Sequence, residues 1–176
     1  MRPGPDLTTP APNPAAIEAR PEGFCRVGAW LAERGHAHAP RWLTVPARTC
    51  AEAADALGVQ TGQIAKSVIF RRRTDGAAVL VVASGDRRVD EHKVAAQVGP
   101  IGRADAAFVK QQTGFSIGGV APVGHSSASV VLIDRELFRF SQLWAAAGHP
   151  NGVFCLSPDE LVALTGAPVA DVVEAA

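Results

Sequence analysis

The sequence contains no tyrosine, one methionine and three cysteines, and aromatic residues make up only 6% of its 176 positions. It also lacks a long apolar run. The longest, from Ala77 to Ala83, is far shorter than the roughly 18 to 20 apolar residues that cross a bilayer. We therefore expect no membrane-spanning segment and no membrane partner.

Neither sign of charge is in surplus, because 17 basic residues balance 17 acidic ones. Proteins that coat duplex nucleic acid usually carry a basic excess, so this balance argues against that class. A balanced total charge is still compatible with a local basic patch. One candidate for a phosphate-steering patch consists of Arg71, Arg72, Arg73, Arg87, Arg88 and Lys93. A solvated strand end is the alternative interpretation.

Residue types that often hold metals or form disulfides occur without the necessary spacing. Cys25, Cys50 and Cys155 are odd in number and far apart, which predicts small buried side chains in a reducing compartment. The five histidines show no HExxH spacing, so we expect neither a metal nor another cofactor. Residues 1–6 lack the apolar core of a signal peptide, and the expected location is the cytoplasm.

Composition divides the chain near residue 21. Residues 1–21 hold six prolines and almost no large apolar side chains, which predicts a flexible leader. Residues 22–176 have the composition of one globular domain. A domain of that size can bury a core without help from a metal or a disulfide.

Apolar spacing and capping residues predict helices over 22–34, 50–57, 89–98 and 104–112, and a last helix that begins after Ser157. Apolar and β-branched runs predict strands over 42–45, 64–70, 77–84, 129–134, 142–147 and 153–156. The runs 64–70 and 77–84 are nearly all apolar and flank Asp75-Gly76, so they should form a central hairpin. The predicted fold class is α+β: a single domain with a mixed central sheet flanked by helices.

The most informative segment runs from Thr113 to His125 and contains four glycines. Glycines let backbone N–H groups approach a ligand closely, as in a nest for an oxyanion or a phosphate. The segment has neither a GK[ST] phosphate loop nor GxGxxG, which argues against nucleoside triphosphate chemistry. An ordinary glycine-rich connection is the alternative.

Lys66 stands alone among apolar residues near the start of the predicted strand 64–70. Since burial of an unpaired ammonium group is costly, its side chain must either reach solvent or face a pocket. In a pocket it would supply a positive charge that could hold a phosphate or an anionic transition state.

Four segments together resemble the YbaK/ProX family of aminoacyl-tRNA deacylases: 63–70, 85–99, 113–125 and 132–134. The resemblance extends from about residue 22 to residue 172. It implies an α+β domain that hydrolyses the ester of mischarged tRNA. It also implies catalytic roles for Lys66 and for the backbone of Gly118 and Gly119. The residues expected to bind substrate are Ser67, Val120, Pro122, Gly124, His125 and Gly148.

No side-chain nucleophile is evident, so the expected mechanism is attack by water, assisted by the ribose 2′-hydroxyl or a substrate group. In this scheme Lys66 lies near phosphate or ribose, and the glycine N–H groups lie near the ester oxygen.

The resemblance implies tRNA-Pro carrying a small amino acid as substrate and prolyl-tRNA synthetase as a partner. Cysteine fits poorly, because the segment 148–153 has no aspartate and the chain has no tyrosine. Alanine, serine, threonine or a small non-protein amino acid stay open. Two other functions also stay open: a catalytically silent module that binds the tRNA acceptor end or a synthetase, and a domain that binds a small molecule or protein.

Overall fold

The computed structural model describes residues 20–176, so the predicted leader falls almost wholly outside the described residues. Within this range the helices are α1 (Glu22–Glu33), α2 (Cys50–Leu57), α3 (Glu91–Val98), α4 (Ala106–Thr113) and α5 (Pro158–Thr165). The strands are β1 (Arg41–Trp42), β2 (Ile64–Arg72), β3 (Ala78–Ser84), β4 (Ile101–Arg103), β5 (Val130–Asp134), β6 (Leu143–Ala146), β7 (Gly152–Leu156) and β8 (Val169–Ala170).

The strands form one mixed sheet in the order β1-β7-β6-β2-β3-β5-β8, and β4 also pairs with β2. β2 and β3 are the predicted central hairpin, antiparallel from Ala65↔Ser84 to Arg71↔Ala78. β2 runs parallel to β6, and β3 runs parallel to β5. The predicted α+β domain with a mixed central sheet is confirmed. No helix within residues 20–176 is both long and apolar enough to cross a bilayer.

Both faces of the sheet are covered, which explains why β3 is apolar at successive positions. Leu80 and Val82 pack in a core with Val27 of α1 and Leu161 of α5. Their neighbours in the strand project to the other face, where Val81 packs in a core with Val94 of α3. All seven residues of β3 are buried.

Local capping signals fix the starts of the helices. The Ser157 hydroxyl accepts from Glu160 N, and the Glu160 carboxylate accepts from Ser157 N, so the last helix begins with the capping box typical of this spacing. At α2 the Thr49 hydroxyl accepts from Glu52 N, but the Glu52 carboxylate accepts from Arg48 N. At α2 the Glu52 carboxylate therefore caps the residue before the N-cap Thr49, and not Thr49 itself.

Three local predictions were wrong. The strand predicted over 42–45 is only Arg41–Trp42, because Leu43 N and Ala47 N donate to the carbonyls of Asn151 and Pro150 instead of continuing the ladder. The short strands β4 and β8 were missed, since runs of two or three residues carry little periodicity. Cys25 is exposed on α1 and Cys50 is half-buried, whereas Cys155 is buried as predicted.

Candidate active site

The central strand β2 has a gap along one edge. β3 covers the other edge from Ala65 to Arg71. The gapped edge is shared, because β6 pairs with residues 64–65 and β4 pairs with residues 70–72. Residues 66–69 therefore have no strand partner on that side, and the sheet is open at its centre.

Backbone groups point into this opening. Arg72 N donates to Ala77 O within the hairpin, whereas Arg73 N donates to Pro100 O beside β4. Because residues of a strand alternate in the edge to which their N–H and C=O point, Ser67 and Ile69 direct their N–H groups toward the opening. Ser67 directs its carbonyl there as well.

A cavity of about 350 Å³ lies at the opening. Its walls come from β2, the start of α2, the loop before Val120 and the segment 144–153. Lys66, Ser67, Gly118 and Val120 all line it, so the structure brings these four predicted site residues together. Among the residues the structure describes, no aspartate or glutamate lines the cavity.

Lys66 enters the cavity wall from one face of the sheet. Its Nζ donates to the carbonyl of Arg87, in the loop after β3. Within residues 20–176 no carboxylate forms an ion pair with it. Burial raises the pKa of the neighbouring Cys50 thiol, and the charge of Lys66 partly opposes that rise. Lys66 is therefore held by a neutral oxygen in a site that would favour anions.

Ser67 follows in the strand and projects to the opposite face. Its Oγ is buried and has no hydrogen-bond partner among the described residues, and the same holds for Nε1 of Trp144 in the cavity wall. Buried polar atoms are normally paired, so unpaired ones in a cavity wall indicate a site shaped for a ligand. A serine hydroxyl can turn toward such a ligand by rotation about χ1.

The glycine-rich segment is a tight loop at the C-terminus of α4. Gly118 has a φ of +94°, a conformation that other residues rarely adopt. Gly119 N donates to Ser116 O at 3.0 Å, so this amide is already paired, in contrast to the role expected for it. A side chain at Gly119 would meet the backbone N and Cα of His149 at 2.8 and 2.6 Å. The loop therefore packs directly against the segment that carries His149.

His149 lines the cavity and was not predicted as a site residue. Its Nδ1 accepts from Asn151 N at 3.1 Å, and its ring stacks on Trp42 with centroids 4.9 Å apart. A neutral ring held in this way carries its hydrogen on Nε2, which makes Nε2 a donor. The only hint of His149 in the sequence was its position between two glycines, Gly148 and Gly152. Gly148, which was predicted to bind substrate, does not line this cavity and packs against Gly23.

Three predicted residues line a different cavity. Pro122, Gly124 and His125 line a smaller cavity of about 260 Å³, which also contacts Trp30. One ring nitrogen of His125 contacts Ala121 O at 2.6 Å and the other contacts Ser129 Oγ at 2.9 Å. Burial lowers the pKa of His125. These residues support the loop from behind, and the structure does not bring them to Lys66.

The predicted basic patch is divided by ion pairing. Four of its six residues form ion pairs: Arg72 with Asp75, Arg87 with Glu136, Arg88 with Glu174 and Lys93 with Asp171. Arg71 and Arg73 form none with the carboxylates of residues 20–176. The six residues therefore do not act as one surface.

Comparison with known proteins places this geometry in a family. The model of the aminoacyl-tRNA editing domain matches residues 44–164. A crystal structure described as a candidate trans-editing enzyme for prolyl-tRNA synthetase superposes with a TM-score of 0.83 at 40% identity, covering 89% of this chain and all of that one.

Two curated proteins are also similar. The uncharacterized protein YwhH of Bacillus subtilis (strain 168) is 38% identical over 114 residues, which is 64% of this chain and 72% of YwhH. A protein named as a candidate Cys-tRNA(Pro)/Cys-tRNA(Cys) deacylase, EbsC of Enterococcus faecalis (strain ATCC 700802 / V583), is 24% identical over 68% of this chain and 73% of its own length. Because the family model covers more than half of the chain, this protein belongs to the aminoacyl-tRNA editing domain family.

Proposed function

We propose that this protein is a trans-acting deacylase that hydrolyses the ester of tRNA-Pro mischarged with a small amino acid. One observation carries the proposal: Lys66, Ser67 and the backbone of Gly118 line a single cavity at the gap in β2. An esterified 3′-terminal adenosine needs a cation near its oxygens and N–H donors near the ester carbonyl. The cavity offers both kinds of group.

The donors come from the backbone. Gly118 N–H and the edge-directed N–H groups of Ser67 and Ile69 are suited to an oxygen that gains charge as water attacks the ester. Gly119 N–H is excluded from this role because it already donates to Ser116 O. Gly119 instead supports the loop, because only a residue without a side chain fits against His149.

The chemistry depends on position and charge. In the proposed reaction a water molecule adds to the ester carbonyl, and the bond to the ribose oxygen then breaks to give free amino acid and tRNA. The ribose 2′-hydroxyl or a substrate group assists the proton transfers. Lys66 contributes its positive charge, and the protein contributes orientation.

The size and lining of the cavity support a small aminoacyl group. About 350 Å³ lies at the lower end of ligand-site volumes, and alanine, valine and isoleucine side chains form much of the wall. The unpaired Ser67 hydroxyl would accommodate alanine, serine or threonine. A synthetase separates such similar residues poorly, which is the reason for a second, hydrolytic site.

The test uses Lys66→Met, which keeps most of the side-chain length and removes the charge. We expect hydrolysis of alanyl-, seryl- or threonyl-tRNA-Pro to fall by about 10²-fold or more, the cost typical of losing one electrostatic contact to the transition state. Lys110→Met, on the exposed face of α4, is the matched control and should retain activity. Both variants should melt near the wild-type temperature.

Two results would contradict the proposal in different ways. If Lys66→Met keeps full turnover, Lys66 has no role in the mechanism. If the wild-type protein releases no amino acid from any member of the panel but still binds tRNA, the protein is the catalytically silent binding module.

A further inference from the structure

Most cations without carboxylate partners lie around the candidate active site. Within residues 20–176, half of the sixteen lysines and arginines form ion pairs with acidic side chains. The other eight are Arg20, Arg41, Arg48, Lys66, Arg71, Arg73, Arg103 and Lys110. A chain with no net charge thus carries most of its unneutralised positive charge on a restricted part of its surface.

Seven of the eight lie in the cavity wall or near it, and the eighth, Lys110, lies on the exposed face of α4, where its Nζ donates to Gly114 O. Arg48 and Lys66 line the wall. The Arg41 guanidinium lies 4.9 Å from the ring centroid of Trp144, and that of Arg20 lies 4.4 Å from Trp42. On the opposite side of the cavity, the β2–β4 ladder continues directly from the wall residues Ile69 and Ala104.

Three arginines lie in this ladder or directly after it and define a region that we call the basic edge: Arg71, Arg73 and Arg103. Arg71 pairs with Gly102 and Arg103 with Phe70, so the two arginines lie on adjacent strands and project from opposite faces of the ladder at its rim. Arg73 donates its Nε to Ile101 O and extends over Gly102, where a side chain would contact its guanidinium at 3.2 Å. All three arginines are fixed to regular strands or beside them.

Spacing connects the basic edge to the cavity. Arg71 lies two residues beyond Ile69, which corresponds to about 7 Å along a strand. Arg103 is the residue before Ala104. A nucleic acid whose terminal ribose sits at the cavity would therefore place its next phosphates within reach of these guanidinium groups, which are well suited to phosphate oxygens.

We propose that the basic edge binds the phosphates of the single-stranded 3′ end of the tRNA, so that the RNA leaves the cavity across β4. The proposal rests on the proposed function. The competing route crosses the opposite rim, where Arg20 and Arg41 are engaged on indole rings. The basic edge is favoured because the guanidiniums of Arg73 and Arg103 contact neither an acidic side chain nor an aromatic ring among the described residues, and only that of Arg71 lies over a ring, 5.3 Å from the centroid of Phe108.

The experiment compares alanyl-tRNA with 3′-O-alanyl-adenosine, which has the same ester but no phosphate. For Arg71→Gln/Arg103→Gln we expect the ratio of kcat/KM for the tRNA over that for the adenosine ester to fall about tenfold. The slope of log binding constant against log salt for uncharged tRNA should become shallower by about 1.4, because each phosphate contact to a single strand contributes about 0.7. Arg34→Gln/Arg135→Gln removes two ion-paired charges and should change neither quantity.

A second pair of variants tests the route. If Arg41→Gln/Arg48→Gln lowers the ratio and the basic-edge variant does not, the RNA crosses the opposite rim and the proposal is wrong. It is also wrong if the control variant lowers the ratio equally. If the wild type hydrolyses neither ester, the proposed function fails, while the salt slope still shows separately whether the basic edge binds RNA. Should the double variant melt early, Arg103→Gln alone should change the slope by about 0.7.

Discussion

His125 shows how a polar residue of the glycine-rich segment can serve the fold and lie apart from the reacting groups. It is half-buried behind the loop, where its ring contacts Ala121 O, Ser129 Oγ and the edge of Phe115. Desolvation lowers its pKa, and the charge of Arg26 lowers it further, whereas the contact with Ala121 O raises it. Its neutral form is therefore the one that the folded protein prefers.

This preference predicts a pH dependence of stability. A histidine whose folded pKa is depressed binds a proton more readily when unfolded, so its contribution to stability is present above its ordinary pKa of about 6.5 and is lost as the pH falls below it. We expect His125→Gln to reduce the loss in free energy of unfolding between pH 7.5 and pH 5, measured by urea denaturation. His92→Gln, at an exposed position of α3, should leave the loss unchanged. If the free energy of unfolding falls by the same amount in wild type and in His125→Gln, this account is wrong.

At the scale of elements, two loops are held together by contact between backbones. Gly119 of the glycine-rich loop lies against the backbone of His149, where a Cβ would approach N, Cα and C to within 2.6 to 2.9 Å. None of these atoms belongs to a flexible side chain that could move aside. The contact places Gly118 and His149 in the same cavity wall.

Gly119→Ala should therefore force these loops apart. We expect a loss of about 1 to 3 kcal/mol in the free energy of unfolding, the range typical of overpacking. Hydrolysis of aminoacyl-tRNA should fall as well, since the cavity wall is displaced. Gly28→Ala is a matched control, because its Cβ would meet only Pro40 at 3.8 Å within a helix. It should be neutral or slightly stabilising. Equal stability of the two variants would show that the loops can adjust.

The sequence predicted elements better than it predicted the site. The apolar runs of β2 and β3 and the capping box at Ser157 are local signals, and each predicted its element. The gap beside residues 66–69 arises because β6 stops pairing at Ala65 and β4 begins at Phe70. Pairing between strands this distant in the chain leaves no local pattern. Lys66 could be proposed from the sequence because an isolated charge in an apolar strand is conspicuous, whereas His149 could be proposed only from its position in the cavity wall.

At the scale of the whole molecule, the gap raises the question of whether the domain unfolds as one unit. The strands β6, β7 and β1 join the rest of the sheet through only two paired residues of β2. Packing provides the stronger connection. Leu80 of β3, Ala145 of β6 and Phe154 of β7 belong to one buried core. Since this core includes strands from both sides of the gap, we expect a single cooperative unfolding transition.

Leu80→Ala tests this connection at its centre. Leu80 is fully buried, and its truncation should lower the free energy of unfolding by about 2 to 5 kcal/mol, as deletions in close-packed cores do. In a Trp30→Phe background, tryptophan fluorescence reports on Trp42 and Trp144, beyond the gap from β3, whereas circular dichroism reports on the whole domain. If the core unites the two sides, both signals shift together to lower denaturant concentration.

Val169→Ala, at a position 43% exposed, is the control. By either signal, it should change the free energy of unfolding by no more than about 0.5 kcal/mol. A fluorescence transition that stays in place while the dichroism transition moves would mean that the strands beyond the gap fold independently of β3, and that the cavity lies between two separately stable parts.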